Sequence, residues 1–239
     1  IPMLNRKSDV RPIVATLLHT YQMRGFEPFC VDFHEQLLQQ KVKFPLLEFA
    51  AEATYQQLAE TEHLPFCKNI AAHQTMGGNV VLAIVLRERM AAHMEESFAE
   101  AAKFITQGQE WYVSDIIGER VFGNGILQCP VEALERLAKL REHESIWVVR
   151  SIGAGCHLAT KRGINKAVAK EVFQLLLSLG GSKEHQIRKG IGWAAKTMAR
   201  FHPDIIELYR KEIAAESIGN WFRRKVNIGL ERHRHAQSH

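Results

Sequence analysis

Apolar residues recur along the chain at three- and four-residue intervals, the spacing that lines one face of a helix. Residues 9–25 carry Val10, Ile13, Val14, Leu17, Leu18 and Tyr21 in that rhythm, with Ser8 or Asp9 as the cap and Gly25 as the stop. A short helix is predicted over 32–40 with Asp32 as its cap, and a longer one over 46–58 behind Phe44-Pro45. Leu64-Pro65 opens a helix through Ala72. Gly77-Gly78 reads as a turn, after which Asn79 caps an apolar helix to His93, and a further helix covers 95–106 up to Gly108. Beyond it the pattern predicts Trp111 to Val121, broken at Gly123-Asn124-Gly125; Val131 to His143, entered at Pro130; and Trp147 to Thr160, capped by Ser145. Asn165 caps Ala167 to Leu179, His185 to Arg200 follows, and His202-Pro203-Asp204 turns into Ile205 to Ala215. A last helix over 216–231 reads as a cap, with Glu231-Arg232-His233-Arg234-His235 as a fraying polar tail. No segment alternates with period two, so the chain reads as all-α, about a dozen helices in antiparallel pairs.

These helices repeat. Trp111-Tyr112-Val113-Ser114-Asp115 is followed by Trp147-Val148-Val149-Arg150-Ser151 and by Ile187-Arg188-Lys189-Gly190-Ile191-Gly192-Trp193; Asp115, Arg150 and Arg188 align at steps of 35 and 38 residues. A weaker copy places Val81 34 residues before Asp115. Periods of about 35 to 40 residues with helical content mark stacked helix pairs, none of which buries its apolar face alone. No linker rich in Pro, Gly or Ser interrupts the chain, so 1–239 reads as a single domain: N-terminal helices over 8–75, the clearest repeats over 79–215 and the capping helix over 216–231.

Composition narrows the class. Hydrophobic residues make up 46% and charged residues 24%, which argues against disorder. No apolar run approaches the roughly 18 residues of a spanning helix, so no membrane association is expected, and the stretch from Ile1 to Lys7 lacks the apolar core of a signal peptide. Cys30, Cys67, Cys129 and Cys156 form no C-x-x-C pair and read as buried free thiols of a cytoplasmic protein. The net charge is +5, and its placement says more than its size: Arg150, Lys161, Arg162, Lys166, Arg188, Lys189, Lys196, Arg200, Arg210, Lys211, Arg223, Arg224 and Lys225 all follow residue 145. Solvated helix faces account for such residues, and so does a surface for a polyanion.

Candidate chemistry centres on four residues. Trp111 and Asp115 are four apart and share a helix face. A carboxylate there can pair with a neighbouring cation such as Arg150, bind a cationic ligand with the indole, or stabilise developing positive charge; spacing alone favours the ion pair. For Arg150, a ladder contact to the preceding repeat and a phosphate contact are equally compatible with the pattern. Trp193 stands among Gly190, Gly192, Ala194 and Ala195, where tight packing around a core indole is the commoner reason for small residues. His157, His185 and His202 are isolated, His233 and His235 are two apart on a polar tail, and the sequence has no H-E-x-x-H, Walker, G-x-S-x-G or dinucleotide motif. No metal and no cofactor are expected.

Together, Trp111-x-x-x-Asp115-Ile116-Ile117, Ile146-Trp147-Val148-Val149-Arg150-Ser151-Ile152 and Ile187-Arg188-Lys189-Gly190-Ile191-Gly192-Trp193-Ala194, running on to Tyr209, resemble the AlkD-like family of DNA alkylation repair glycosylases over roughly residues 105–210. The resemblance implies a right-handed α-solenoid of HEAT-like helix pairs with a concave basic groove for duplex DNA. It implies hydrolysis of the N-glycosidic bond of N3- or N7-alkylated purines, on a lesion that need not enter a pocket. The family's catalytic aspartate matches Asp115, its cleft tryptophans Trp111 and Trp193, and its cleft arginine Arg150, which raises the functional reading of these four above core packing. Arg150, by anchoring phosphate next to the lesion, and Arg188, Lys189, Lys196, Lys161 and Arg162 are then expected to contact DNA. The chain departs from the family at Lys196-Thr197, where an Arg-Glu pair is usual. A cytoplasmic, nucleoid-associated monomer is the expectation that follows.

Overall fold

The computed structural model describes residues 3–238, so the N-terminal stretch read above is seen only from Met3. These residues form helices joined by short turns; among them there is no β-strand, only a parallel bridge between Leu4 and Val42. The all-α expectation holds. No described helix is long and apolar enough to cross a membrane. The chain divides into two compact units, Ile1–His93 and Met94–His239. The division falls within α5 (Met76–Gly108), at the point where His93 leaves helical backbone angles.

The first unit contains α1 (Lys7–Arg24), α2 (Phe26–Phe33), α3 (Phe44–Gln57), α4 (His63–Ala72) and the opening of α5. Its centre is aromatic: Phe29, Phe33 and Phe66 are fully buried with ring centroids 5.2 to 5.8 Å apart. Local chemistry moves several predicted boundaries. Asp9 lies inside α1, where its carboxylate accepts the Arg6 N–H at 3.0 Å. The second helix starts at Phe26 rather than at residue 32 and continues through a π-helical turn, His34–Leu38. Asp32 sits within it and accepts the Thr20 hydroxyl at 3.0 Å instead of capping. Gly77-Gly78 is the first turn of α5, capped by the Thr75 hydroxyl, which accepts the Gly78 N–H at 3.0 Å; Asn79 is not the cap.

In the second unit α6 (Trp111–Ile117) runs through a π-helical turn, Gly118–Gly123, into α7 (Asn124–Gln128), so Gly123-Asn124-Gly125 does not break the helix. Then come α8 (Pro130–Leu140), α9 (Ile146–Arg162), α10 (Lys166–Ser178), α11 (His185–Phe201), α12 (Pro203–Leu208), α13 (Arg210–Ala214) and α14 (Asn220–Gln237). One row of helices stacks in series: the α6 segment on α9, α9 on α11, α11 on α14. Behind it α8, α10 and α12 form a second row, so the unit is built from helix pairs. Asn165 caps α10 as its sequence suggests, accepting the Val168 N–H at 3.0 Å. The polar tail does not fray: α14 continues to Gln237, with His233 Nδ1 2.8 Å from the Arg200 carbonyl. Among the cysteines, Cys30, Cys67 and Cys156 are buried, whereas Cys129 is exposed, against the expectation of four buried thiols.

Because α9 is buried on every side from Val148 to Cys156, its neighbours must approach closely. Gly153 and Gly190 make this possible. A Cβ on Gly153 would stand 2.2 Å from the Gly190 carbonyl, and one on Gly190 would stand 2.3 Å from the Arg150 carbonyl. Both obstacles are backbone, which cannot swing aside as a side chain can. Gly190→Ala is therefore expected to pry α9 from α11 and destabilise the second unit by about 2 to 3 kcal/mol, the scale of core overpacking. Thermal or urea unfolding checks this; unchanged stability would mean that the two helices do not meet at these glycines.

Candidate functional site

The site is built on the row α6, α9, α11, α14. On α6, Val113, Ser114, Ile116 and Ile117 are buried, which turns Trp111 and Asp115 to the other face. Trp111 is 54% exposed and the Asp115 side chain 16%. Asp115 faces α9, where Arg150 meets it with both arms of its fork: Nε donates to Oδ1 at 3.0 Å and Nη2 to Oδ2 at 2.8 Å. The third arm of Arg150, Nη1, donates to Gln186 Oε1 on α11 at 2.9 Å. Asp115, Arg150 and Gln186 thus tie three successive repeats together.

This arrangement leaves part of the carboxylate in use and part available. Two carboxylate oxygens offer about four lone-pair positions, and the Arg150 fork takes one on each. The remainder lies on a side chain that still reaches solvent.

Two helical turns further on, the same interface has a second contact. His157 follows Arg150 by seven residues on α9, and Trp193 follows Gln186 by seven on α11, a rise of about 10.5 Å. The His157 ring stacks on the Trp193 indole, centroids 3.8 Å apart and planes 25° from parallel. His157 Nδ1 lies 2.7 Å from Thr197 Oγ1, and that hydroxyl donates to the Trp193 carbonyl at 3.1 Å. Burial, with Lys161 and Lys196 nearby, pushes His157 down to about 4, so its imidazole is neutral at physiological pH.

The expected basic residues fall into two groups. Arg150 is committed to Asp115, and Lys166 pairs with Asp204 at 2.7 Å. Arg210 pairs with Glu207, and Arg223 donates to the Ile213 and Ala215 carbonyls. Lys161, Arg162, Arg188 and Lys189 are exposed and Lys196 is half-buried, none with an ion pair among the described residues. Arg188 lies over the Trp221 ring, 5.9 Å from its centroid. Around Lys196 the structure gathers two further cations of α14: Lys225, already one of the basic residues after 145, and Arg232, which the sequence placed only in a polar tail. Burial, then Arg232, then Lys225 pull the Lys196 ammonium below its ordinary value. Gly229 permits the contact, since a Cβ there would stand 2.3 Å from the Lys196 carbonyl. Like charges gathered without an acid raise the local positive potential, which an anion relieves.

Gln186 went unmarked in the sequence, where it is a lone polar residue on a helix; His157 was noted there only as an isolated histidine and Thr197 only as a departure from the family pattern, neither with a role at the site. The described residues hold no group of three or more His, Cys, Asp and Glu side chains placed to bind a metal.

Comparison with known proteins adds the family. No curated protein matches the chain. Among solved structures, the crystal structure of an engineered protein aligns over 97% of this chain and 98% of its own, at 14% identity and a TM-score of 0.43, a likeness too distant to bear on function. A family model described as "DNA alkylation repair enzyme" matches residues 42–224, a span that includes Trp111, Asp115, Arg150, Gln186 and Trp193; the chain belongs to the DNA alkylation repair enzyme family.

Proposed function

We propose that this DNA repair protein is a glycosylase that hydrolyses the N-glycosidic bond of cationic N3- or N7-alkylated purines in duplex DNA. The observation that carries this reading is the Asp115 carboxylate, clasped by Arg150 through both oxygens, still 16% exposed and one helical turn from an exposed indole. An alkylated N3 or N7 makes the purine cationic. As the C1′–N bond breaks, its electron pair neutralises the base and positive charge passes to the deoxyribose. The uncommitted lone pairs of Asp115 face that charge and accept a proton from the water that attacks C1′. Trp111 and Trp193 offer π-faces to the cationic nucleotide and sugar. No cofactor is needed for this chemistry. The duplex lies across the α6–α9–α11–α14 row, its phosphates met by Lys161, Arg162, Arg188, Lys189 and Lys196, with Lys225 and Arg232 beside Lys196, and the protein acts as a monomer.

A second reading has its own support. Asp115 and Arg150 form a bidentate pair that also serves as a structural ladder between repeats, and a DNA-binding module without catalysis needs nothing more. Incubation with methylated duplex DNA separates the two readings. The glycosylase releases 7-methylguanine or 3-methyladenine and leaves abasic sites; salt-sensitive binding without base release sinks that reading and leaves the second. Under either reading, replacing Lys196, Lys225 or Arg232 by Ala is expected to weaken duplex binding about equally across sequences. Each loss should lower the slope of log K against log salt by about 1. An unchanged slope would move the phosphates elsewhere.

A further inference from the structure

Trp193 has two faces, and the structure commits one of them. His157 covers it in a near-parallel stack at 3.8 Å, tethered through Nδ1 to the Thr197 hydroxyl at 2.7 Å. With the Thr197 hydroxyl donating its one proton to the Trp193 carbonyl, the tautomer that fits the 2.7 Å contact has Nδ1 donating to that hydroxyl. The loop closes: indole, carbonyl, hydroxyl and imidazole hold one another, and the plane of the indole is set by the ring behind it.

The charge of that ring matters for the outer face. An aromatic ring attracts a cation through the negative potential above and below its plane. A cation on one face competes with a second on the other, the two being closer than the Debye length of about 8 Å at physiological salt. An arginine or lysine stacked where His157 stands would therefore turn cations away from the opposite face.

We propose that His157 is a positioning and specificity-determining residue: it fixes the Trp193 plane and, by remaining uncharged, leaves the outer indole face able to take a cationic nucleotide or the cationic sugar formed from it. The surroundings maintain that state. Burial disfavours a proton on the imidazole most, Lys161 on its own helix and Lys196 on α11 oppose it further, Arg232 and Lys225 of α14 lie near Lys196, and the residue bonded to Nδ1 is a threonine rather than a carboxylate that would draw a proton onto the ring. This inference rests on the glycosylase reading for the identity of the cation.

The test compares affinities for two duplexes, one with a pyrrolidine abasic analogue that is cationic at neutral pH and one with neutral tetrahydrofuran in its place. Their ratio cancels the general attraction of any added charge for DNA. The native protein is expected to prefer the cationic duplex by about tenfold, the scale of one desolvated cation–π contact. His157→Phe, which keeps a neutral stacked ring, should retain the preference, and His157→Arg should lose most of it. A preference retained in His157→Arg, or lost equally in His157→Phe, overturns the inference and leaves the glycosylase reading standing. No preference in the native protein overturns both. Histidine NMR of the native chain at about pH 6, below the ordinary histidine pKa of about 6.5, adds a readout that needs no variant: a neutral ring with its proton on Nδ1 is expected, and a protonated His157 overturns the inference.

Discussion

Asp115→Asn is expected to slow base release by about 10²- to 10³-fold, the cost of removing one stabiliser of transition-state charge, while duplex binding persists. The amide matches the carboxylate in size and retains one acceptor oxygen, so α6 still packs on α9. It lacks the negative charge that meets the deoxyribose cation, and its NH₂ donates where lone pairs are needed to orient water. The substitution also turns one oxygen contacted by the Arg150 fork into a donor facing a donor. Loss of a hydrogen bond to a charged group costs about 1.5 to 3 kcal/mol, so the melting temperature falls as well. The decisive measurement is single-turnover release of methylated purine, made well below that melting temperature and beside a binding isotherm. Release at the native rate would remove Asp115 from the chemistry. Binding and release lost together, with the fold intact, would make its role structural.

The repeat pattern carried much of this arrangement. A period near 35 residues puts equivalent positions of neighbouring helices side by side, so aligned Asp115 and Arg150 are legible as a ladder in the sequence alone, and their contact has both arms of the fork. The third arm was not legible. Gln186 lies in the first turn of α11, where a polar residue is unremarkable, and only the depth to which α11 settles against α9 makes it the partner of Arg150. That depth is set by Gly153 and Gly190. The same register brings His157 under Trp193, a contact between residues 36 apart that neither helix advertises alone. Glycines misled in the other direction at 77–78 and 123–125. They read as turns because glycine is common there; in the fold the first pair opens α5 and the second set permits close packing within a continuous helical run. The tail Glu231 to His235 looked frayed because its composition is polar, yet Gly229 and His233 hold α14 against α11, and the polar residues occupy its outer face.

Arg150→Ala should be the most destabilising single change at the site. It removes three hydrogen bonds and leaves a carboxylate only 16% exposed without its cation. Breaking one side of a buried pair costs about 3 to 5 kcal/mol, and the solvent that reaches Asp115 places this case near the lower figure. Base release should fall too, because the carboxylate loses the clamp that aims it. Arg150→Lys separates the clamp from any contact with DNA. A lysine keeps the charge but can neither grip both oxygens nor reach Gln186 at the same time, so a stability loss of about 1 to 2 kcal/mol is expected. The salt dependence of duplex binding should stay as it is: the Arg150 side chain is 9% exposed, and three of its N–H groups already serve Asp115 and Gln186. Chemical denaturation and a salt titration of binding measure the two effects separately. If instead the slope of log K against log salt falls by about 1, Arg150 holds a phosphate as well as a carboxylate, and its two remaining N–H groups are the ones that do so.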